Sequence, residues 1–155
     1  IEQEEDKLFN TAVIIERGKL LGKYRKQHPN EPAFIAGKSS LIFEKNAVKF
    51  GVNICNDANY PETAKKLAAA GAKIIFYPLN NSLPRLTADR WRKKHIENLI
   101  AIAQDCKTWV VSADIVEEAN GKIGYGCTSV VRKDGAIVKR SPELQEDLLI
   151  VNIPL

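Results

Sequence analysis

Hydrophobic and polar positions along this chain follow two periods in alternation. Thr11 to Glu16 and Lys19 to Tyr24 are short runs rich in apolar and β-branched residues around Arg17-Gly18, which predicts a hairpin. Leu41 to Glu44 and Ala47 to Ile54 predict a second strand pair around Lys45-Asn46. The period then turns helical from Glu62 to Ala70, and Gly71 closes that helix. Lys73 to Tyr77 is a β-rich run ending at Pro78; a polar loop follows, then a long helix from about Ala88 to Cys106. On that helix Trp91, His95, Leu99, Ile102 and Cys106 recur on one face, which predicts a core-facing stripe. Thr108 to Ala113, Thr128 to Arg132, Ala136 to Lys139 and Leu148 to Ile153 complete a strand-rich end with a turn at Lys133-Asp134-Gly135. Such alternation specifies α/β layers in which helices cover sheet faces.

Two places in this pattern carry chemistry. Cys55 stands where an apolar strand stops and helical sequence begins, with Pro61 and Glu62 suited to a first helical turn. A sharp strand-to-helix turn lifts a side chain out of the sheet and aims free backbone N–H groups at whatever it attacks. Upstream, the segment Gly22 to His28 delivers Lys26 at the end of another strand. The two are expected to end neighbouring strands at the same edge of one sheet, where the Lys26 ammonium and the turn's N–H groups would lower the Cys55 pKa and meet an oxyanion. The N–H of Asn56 directly follows the nucleophile and is the natural second oxyanion donor. His28 and His95 read as satisfied structural histidines, Asp57 and Glu62 as turn and helix-start residues, and Glu97 and Asn98 as packing polar groups.

Composition narrows the field. The 155 residues make one domain by size, and no run of ~18 apolar residues is present to span a membrane. Three cysteines, at 55, 106 and 127, give an odd number without a close pair, which argues against a disulfide framework and a structural zinc site and for a reducing, cytoplasmic location. The net charge of +4 has its densest patch at Arg85, Arg90, Arg92, Lys93 and Lys94. No aromatic platform or recognition motif accompanies it, so it reads as a solvated helix face and not a nucleic-acid surface. Glu2, Glu4 and Glu5 cluster with Gln3, Asp6 and Lys7 in a charge run expected to form a loop or frayed end. The chain holds no Met and is read as the carboxy-terminal part of a longer protein.

Tyr24 to His28 (Tyr-Arg-Lys-Gln-His) and Gly51 to Glu62 (Gly-Val-Asn-Ile-Cys-Asn-Asp-Ala-Asn-Tyr-Pro-Glu) resemble the Lys and Cys segments of the nitrilase, or carbon–nitrogen hydrolase, superfamily. The resemblance continues through Gly71-Ala72-Lys73-Ile74-Ile75 with Pro78, Trp91 with Glu97-Asn98, and Gly126-Cys127-Thr128 leading to Asp134-Gly135. It implies part of a four-layer αββα sandwich that forms homodimers or higher homo-oligomers, and an incomplete layer of that kind should leave apolar surface bare. It implies Cys55 and Lys26 as catalytic residues, with Asn56 and Glu31 supporting the oxyanion and the lysine. Glu31 is the one carboxylate between Lys26 and Gly37, in a loop where the family has an additional Glu. The family's third catalytic residue is a Glu from an earlier strand, and it is expected ahead of Ile1.

The chemistry so implied is cofactor-free and metal-free: a thiol attacks an amide-type carbon, ammonia or an amine leaves, and water cleaves the thioester. Amide or carbamoyl compounds are favoured over nitriles as the small-molecule substrate, and neither nucleic acid nor membrane is an expected partner. Two other classes compete with this reading. One is a catalytically silent nitrilase-like binding or assembly module, and the other is a redox-sensing thiol protein built on Cys55.

Overall fold

The computed structural model describes residues 1–155. Its centre is a six-stranded sheet in the order β13-β12-β9-β7-β6-β5, made of β5 (Ile42–Lys45), β6 (Val48–Val52), β7 (Ile74–Pro78), β9 (Trp109–Ala113), β12 (Ser129–Val131) and β13 (Ile137–Arg140). The three middle strands β6, β7 and β9 are parallel, because the helices α1 (Pro61–Ala69) and α2 (Arg85–Cys106) carry the chain back between them. The outer pairs β5–β6, β9–β12 and β12–β13 are antiparallel.

Both helices lie on one face of this sheet. Ala64 and Leu67 of α1 and Ile96, Leu99, Ile102 and Ala103 of α2 pack with Ile75, Tyr77, Val110 and Val131 into the main core. Gly51 is required by this packing: a Cβ there would stand 2.7 Å from the Leu67 side chain, so a bare backbone lets helix and sheet approach. The opposite face is also covered, which is why β7 and β9 read as unbroken apolar runs.

That second cover is a two-stranded sheet, β3 (Thr11–Glu16) with β4 (Lys19–Arg25). Ala12, Ile14 and the fully buried Tyr24 press on Val52, Ile54 and Phe76. The layers therefore run helix, sheet, sheet, and the far face of the hairpin is bare: Val13, Ile15 and Leu20 are 55%, 61% and 61% exposed. This hairpin face therefore carries exposed apolar area.

Most elements fall within one or two residues of their expected limits, as helix and strand ends usually do. Three expectations are corrected and one sheet is added. The acidic run at the start is ordered: β1 (Glu2–Glu4) pairs with β2 (Lys7–Phe9), and Glu2 receives hydrogen bonds from Arg25 Nε at 2.9 Å and Thr11 Oγ1 at 2.9 Å and an ion pair from Lys23. Burial of Phe9 under the Arg25 guanidinium, 3.8 Å from its ring, seats this hairpin. Leu148 to Ile153 forms no strand; Val151 and Ile153 dock by side chain on Ile74, Trp109 and Val130, while Leu148 and Ile150 face water. β8 (Leu83–Pro84), β10 (Val116–Ala119) and β11 (Lys122–Tyr125) form a further three-stranded sheet, whose Asn120-Gly121 turn, with φ of 52° and 73°, is a hairpin signal present in the sequence. Lastly, the α2 stripe changes function along its length: Leu99 and Ile102 are core, but Trp91 and His95 line a cavity.

Candidate active site

Cys55 opens a 3₁₀ turn, Cys55–Asn59, three residues after β6 ends. Its φ is +44°, a left-handed backbone that is uncommon for a residue with a Cβ. This is the elbow the sequence suggested, with one correction. The α-helix starts at Pro61, six residues on, so the N–H groups nearest the thiol belong to the 3₁₀ turn and to the loop after β7, not to a helix amino terminus. Pro61 does occupy the first helical position.

Lys26 follows β4, so it ends a strand of the two-stranded sheet, while Cys55 follows a strand of the six-stranded one. The expectation of one shared sheet is therefore wrong; the two residues come from different sheets, which pack on each other through Tyr24, Val52 and Ile54. Lys26 is 1% exposed, and its ammonium is held by Asn30 Oδ1 at 2.9 Å and both Glu31 carboxylate oxygens at 3.2 Å. A buried ammonium needs such acceptors, and Glu31 supplies the charge balance. Burial works to raise the Glu31 pKa, but its own N–H, Lys26 and the Asn30 N–H together hold it below the ordinary value, so it is a carboxylate at neutral pH. Gly37 makes this loop possible: its N–H donates to Lys26 O at 2.8 Å, and a Cβ there would lie 2.2 Å from the Arg25 carbonyl oxygen.

What joins the two halves is Asp57. Its carboxylate is fully buried and accepts from Tyr24 Oη at 2.8 Å, Ile54 N at 2.9 Å and His28 N at 2.9 Å, with His28 Nδ1 at 3.1 Å. Two of these partners flank Lys26 and one precedes Cys55. Burial, then the Asp57 charge, pushes the Tyr24 phenol well above its ordinary pKa, so it stays a donor. His28 stacks flat on Tyr60, ring centroids 3.8 Å apart, and Asn56 Nδ2 donates to the His28 carbonyl at 2.8 Å. Asp57 is thus a clamp between sheets, a role larger than the turn residue read from the sequence.

Cys55, Asn56 and Glu31 line an open cavity of about 670 Å³ together with Asn81, Trp91 and His95. Its wall is mainly polar, and asparagine recurs in it. His95 is not the satisfied residue expected: its buried Nε2 has no partner, and burial lowers its pKa. Glu97 is exposed, whereas Asn98 lines the cavity and donates to Asn59 Oδ1 at 2.7 Å. Sequence reasoning also missed Asn81, which adjoins the thiol, and Asp114, which holds Asn81; the Asn80-Asn81-Ser82 run looks like an ordinary polar loop.

Electrostatics correct another expectation. The Cys55 thiol is pushed up by burial, not lowered; the Asn80 backbone N–H and the Lys26 charge work against that rise, and Asp114 and Glu31 add to it. The Cys106 thiol is also pushed up by burial, and that of Cys127 up to about 12. Cys55 lines the larger, open cavity and has both a backbone N–H and the Lys26 charge favouring its thiolate. In the basic patch, Arg85 pairs with Glu118 and Arg92 with Glu143, so part of that charge is neutralised. No helix is long and apolar enough to cross a membrane.

The sequence model of the carbon–nitrogen hydrolase family matches residues 1–155. A nitrilase of Pyrococcus abyssi is 29% identical over 158 residues, covering 99% of this chain and 57% of the relative. An N-carbamoylputrescine amidase of Solanum tuberosum is 27% identical over 175 residues, with 99% and 57% covered. Among solved structures, a Saccharomyces cerevisiae member of branch 10 of the nitrilase superfamily superposes with a TM-score of 0.78 at 29% identity, over 91% of this chain and 52% of that one. The NitN amidase of Nesterenkonia sp. AN1 superposes with a TM-score of 0.85 at 22% identity, over 98% and 59%, which is a likeness of fold. The chain spans little more than half the length of these relatives.

Proposed function

The chain belongs to the carbon–nitrogen hydrolase family, and on that footing we propose that it carries the nucleophile half of a site that hydrolyses a small amide or carbamoyl compound, with nitriles the less favoured substrate. In this reading Cys55 Sγ bonds to the substrate carbon, and the carbon–nitrogen bond breaks with ammonia or an amine taking up a proton. Water then attacks the thioester, releasing the acid or carbamate and restoring the thiol. Lys26 and the Asn56 N–H receive the oxyanion, and Glu31 keeps the lysine charged and aimed. The reaction needs a general base, a role that the family resemblance gives to a Glu, and the working unit is a homodimer or larger. Relatives named as amidases support the choice of amide and carbamoyl substrates.

The observation that carries the reading is the strained Cys55 at the cavity floor, with a buried lysine on the facing sheet. A thiol raised by burial is mostly neutral at pH 7 and must surrender its proton to a base as it attacks. That property speaks against a redox sensor, since sensor thiols have low pKa values and open access. It is also why the chain by itself is expected to turn over very slowly, a positioned base being worth typically ~10²–10⁴-fold.

Ammonia release from small amides, carbamoyl compounds and nitriles by the protein carrying this chain tests the proposal. Cys55→Ala should bring release to background, and Lys26→Ala should reduce it by roughly 10²–10³-fold with the fold unchanged by circular dichroism. Release that persists in Cys55→Ala would sink the proposal; a folded protein inactive on all three classes would favour the silent module.

A further inference from the structure

We propose that Asp114, acting through Asn81, is the positioning residue that orients the Cys55 thiol; this rests on the reading of Cys55 as nucleophile. Asp114 directly follows β9, and its carboxylate collects the ends of three strands. Oδ1 accepts from Asn81 N at 3.0 Å and Ile115 N at 2.9 Å, and Oδ2 accepts from Asn81 Nδ2 at 2.7 Å and Cys127 N at 2.9 Å. The N–H of Asp114 donates in turn to Thr128 Oγ1 at 2.9 Å.

The consequence for Asn81 is directional. An ionised carboxylate only accepts, so the Asn81 amide must turn its NH₂ toward Asp114 and its carbonyl oxygen away. That oxygen lies 3.8 Å from Cys55 Sγ, within reach of a weak S–H donor. Asn81 is 7% exposed, so water does not compete freely for this geometry. The thiol proton is thereby drawn toward Asn81, which fixes the sulfur's remaining lone pairs toward the cavity, and the neighbouring Asn80 N–H stands ready for the thiolate. The charged groups acting on the sulfur are Lys26, Asp114 and Glu31. His95 also lines the cavity.

Two variants of the 155-residue chain test this by the pH dependence of Cys55 alkylation with iodoacetamide, read by peptide mass spectrometry, which needs no turnover. Asp114→Asn presents Asn81 with a donor as well as an acceptor, frees its amide to flip, and removes a negative charge near the sulfur; the alkylation midpoint should move to lower pH. Asn81→Ala removes the thiol's acceptor while leaving Asp114 its Cys127 and Ile115 bonds, and its midpoint should move in the same direction. In the active protein both variants should lower kcat more than they raise KM, and Asp114→Glu should recover part of kcat. A wild-type midpoint in folded Asn81→Ala would overturn the proposal, whatever Asp114→Asn does to folding. Failure of ammonia release in the unmutated protein would instead overturn the enzyme reading and leave the alkylation result standing.

Discussion

The six-stranded sheet carries Cys55, which lines the cavity, and the β3–β4 hairpin carries Lys26, buried and bonded to Asn30 and Glu31 of the cavity wall; the two are held in place by different forces. β7 and β9 are covered on both faces, and the main core beneath α1 and α2 contains residues at or near zero exposure. The hairpin is covered on one face only, and a two-stranded sheet is marginal by itself. Cys55 therefore hangs from a rigid support and Lys26 from a weak one. The lesson is that the distance between them is set less by hydrophobic packing than by a few buried polar contacts, chiefly those of Asp57.

Removing that clamp is the strongest way to break the pairing. Asp57→Ala leaves the Tyr24 hydroxyl and the Ile54 and His28 N–H groups buried without their acceptor. At ~1–3 kcal/mol for each orphaned group, partly relieved by water, the loss should be on the order of 3–5 kcal/mol, or roughly 10 °C in Tm for a chain of this size. Hydrogen exchange should localise the damage, with β3 and β4 amides exchanging faster and β7 and β9 amides protected as before. Equal loosening of both regions would mean that Asp57 holds up the whole fold and not the hairpin alone.

The two regions should also fail at opposite ends of the pH scale. Hydrogen bonds from Arg25, then Lys23, hold the Glu2 carboxyl well below its ordinary value, so its contribution is present above about pH 4.5 and is lost as pH falls. In the sheet, burial raises the Cys127 thiol from 9.0 to about 12, so its contribution is complete below pH 9 and drains away between there and 12. Limited proteolysis should therefore cut near β1–β4 first at low pH, while denaturant midpoints should fall above pH 9, less steeply in Cys127→Ala. A Cys127→Ala slope identical to wild type would remove that thiol from the account.

Legibility in the sequence follows the same division. The parallel core and its helices could be read because their signals are local: apolar runs, a helical stripe, Gly71 and Pro61 at helix limits. Cys55 and Lys26 were visible as residues at strand ends. Their relation was not, since nothing along the chain distinguishes two strands of one sheet from strands of two stacked sheets. Asp57, Asn81 and Asp114 were hidden for a similar reason: each looks like ordinary turn chemistry, and its importance lies in partners 26 to 33 residues away. The Cys55 pKa was misjudged because burial depends on the assembled layers, whereas a neighbouring lysine can be read from a motif.

The smallest effect is expected on the bare face of the hairpin, and it sharpens the comparison most. Ile14 and Ile15 are adjacent in β3, yet Ile14 packs toward Tyr24 and Val52 while Ile15 is 61% exposed. Ile15→Thr keeps a β-branched side chain and gives up little buried area, so stability should move by no more than ~0.5 kcal/mol in a denaturant titration of the 155-residue chain. Ile14→Thr gives up buried contact and places a hydroxyl between the sheets, which should cost clearly more. The ratio between these neighbours measures how one-sided the hairpin is. A cost for Ile15→Thr that rises with protein concentration would mean that a second copy covers this face in solution, and the hairpin would then owe part of its position to association and not to Asp57 alone.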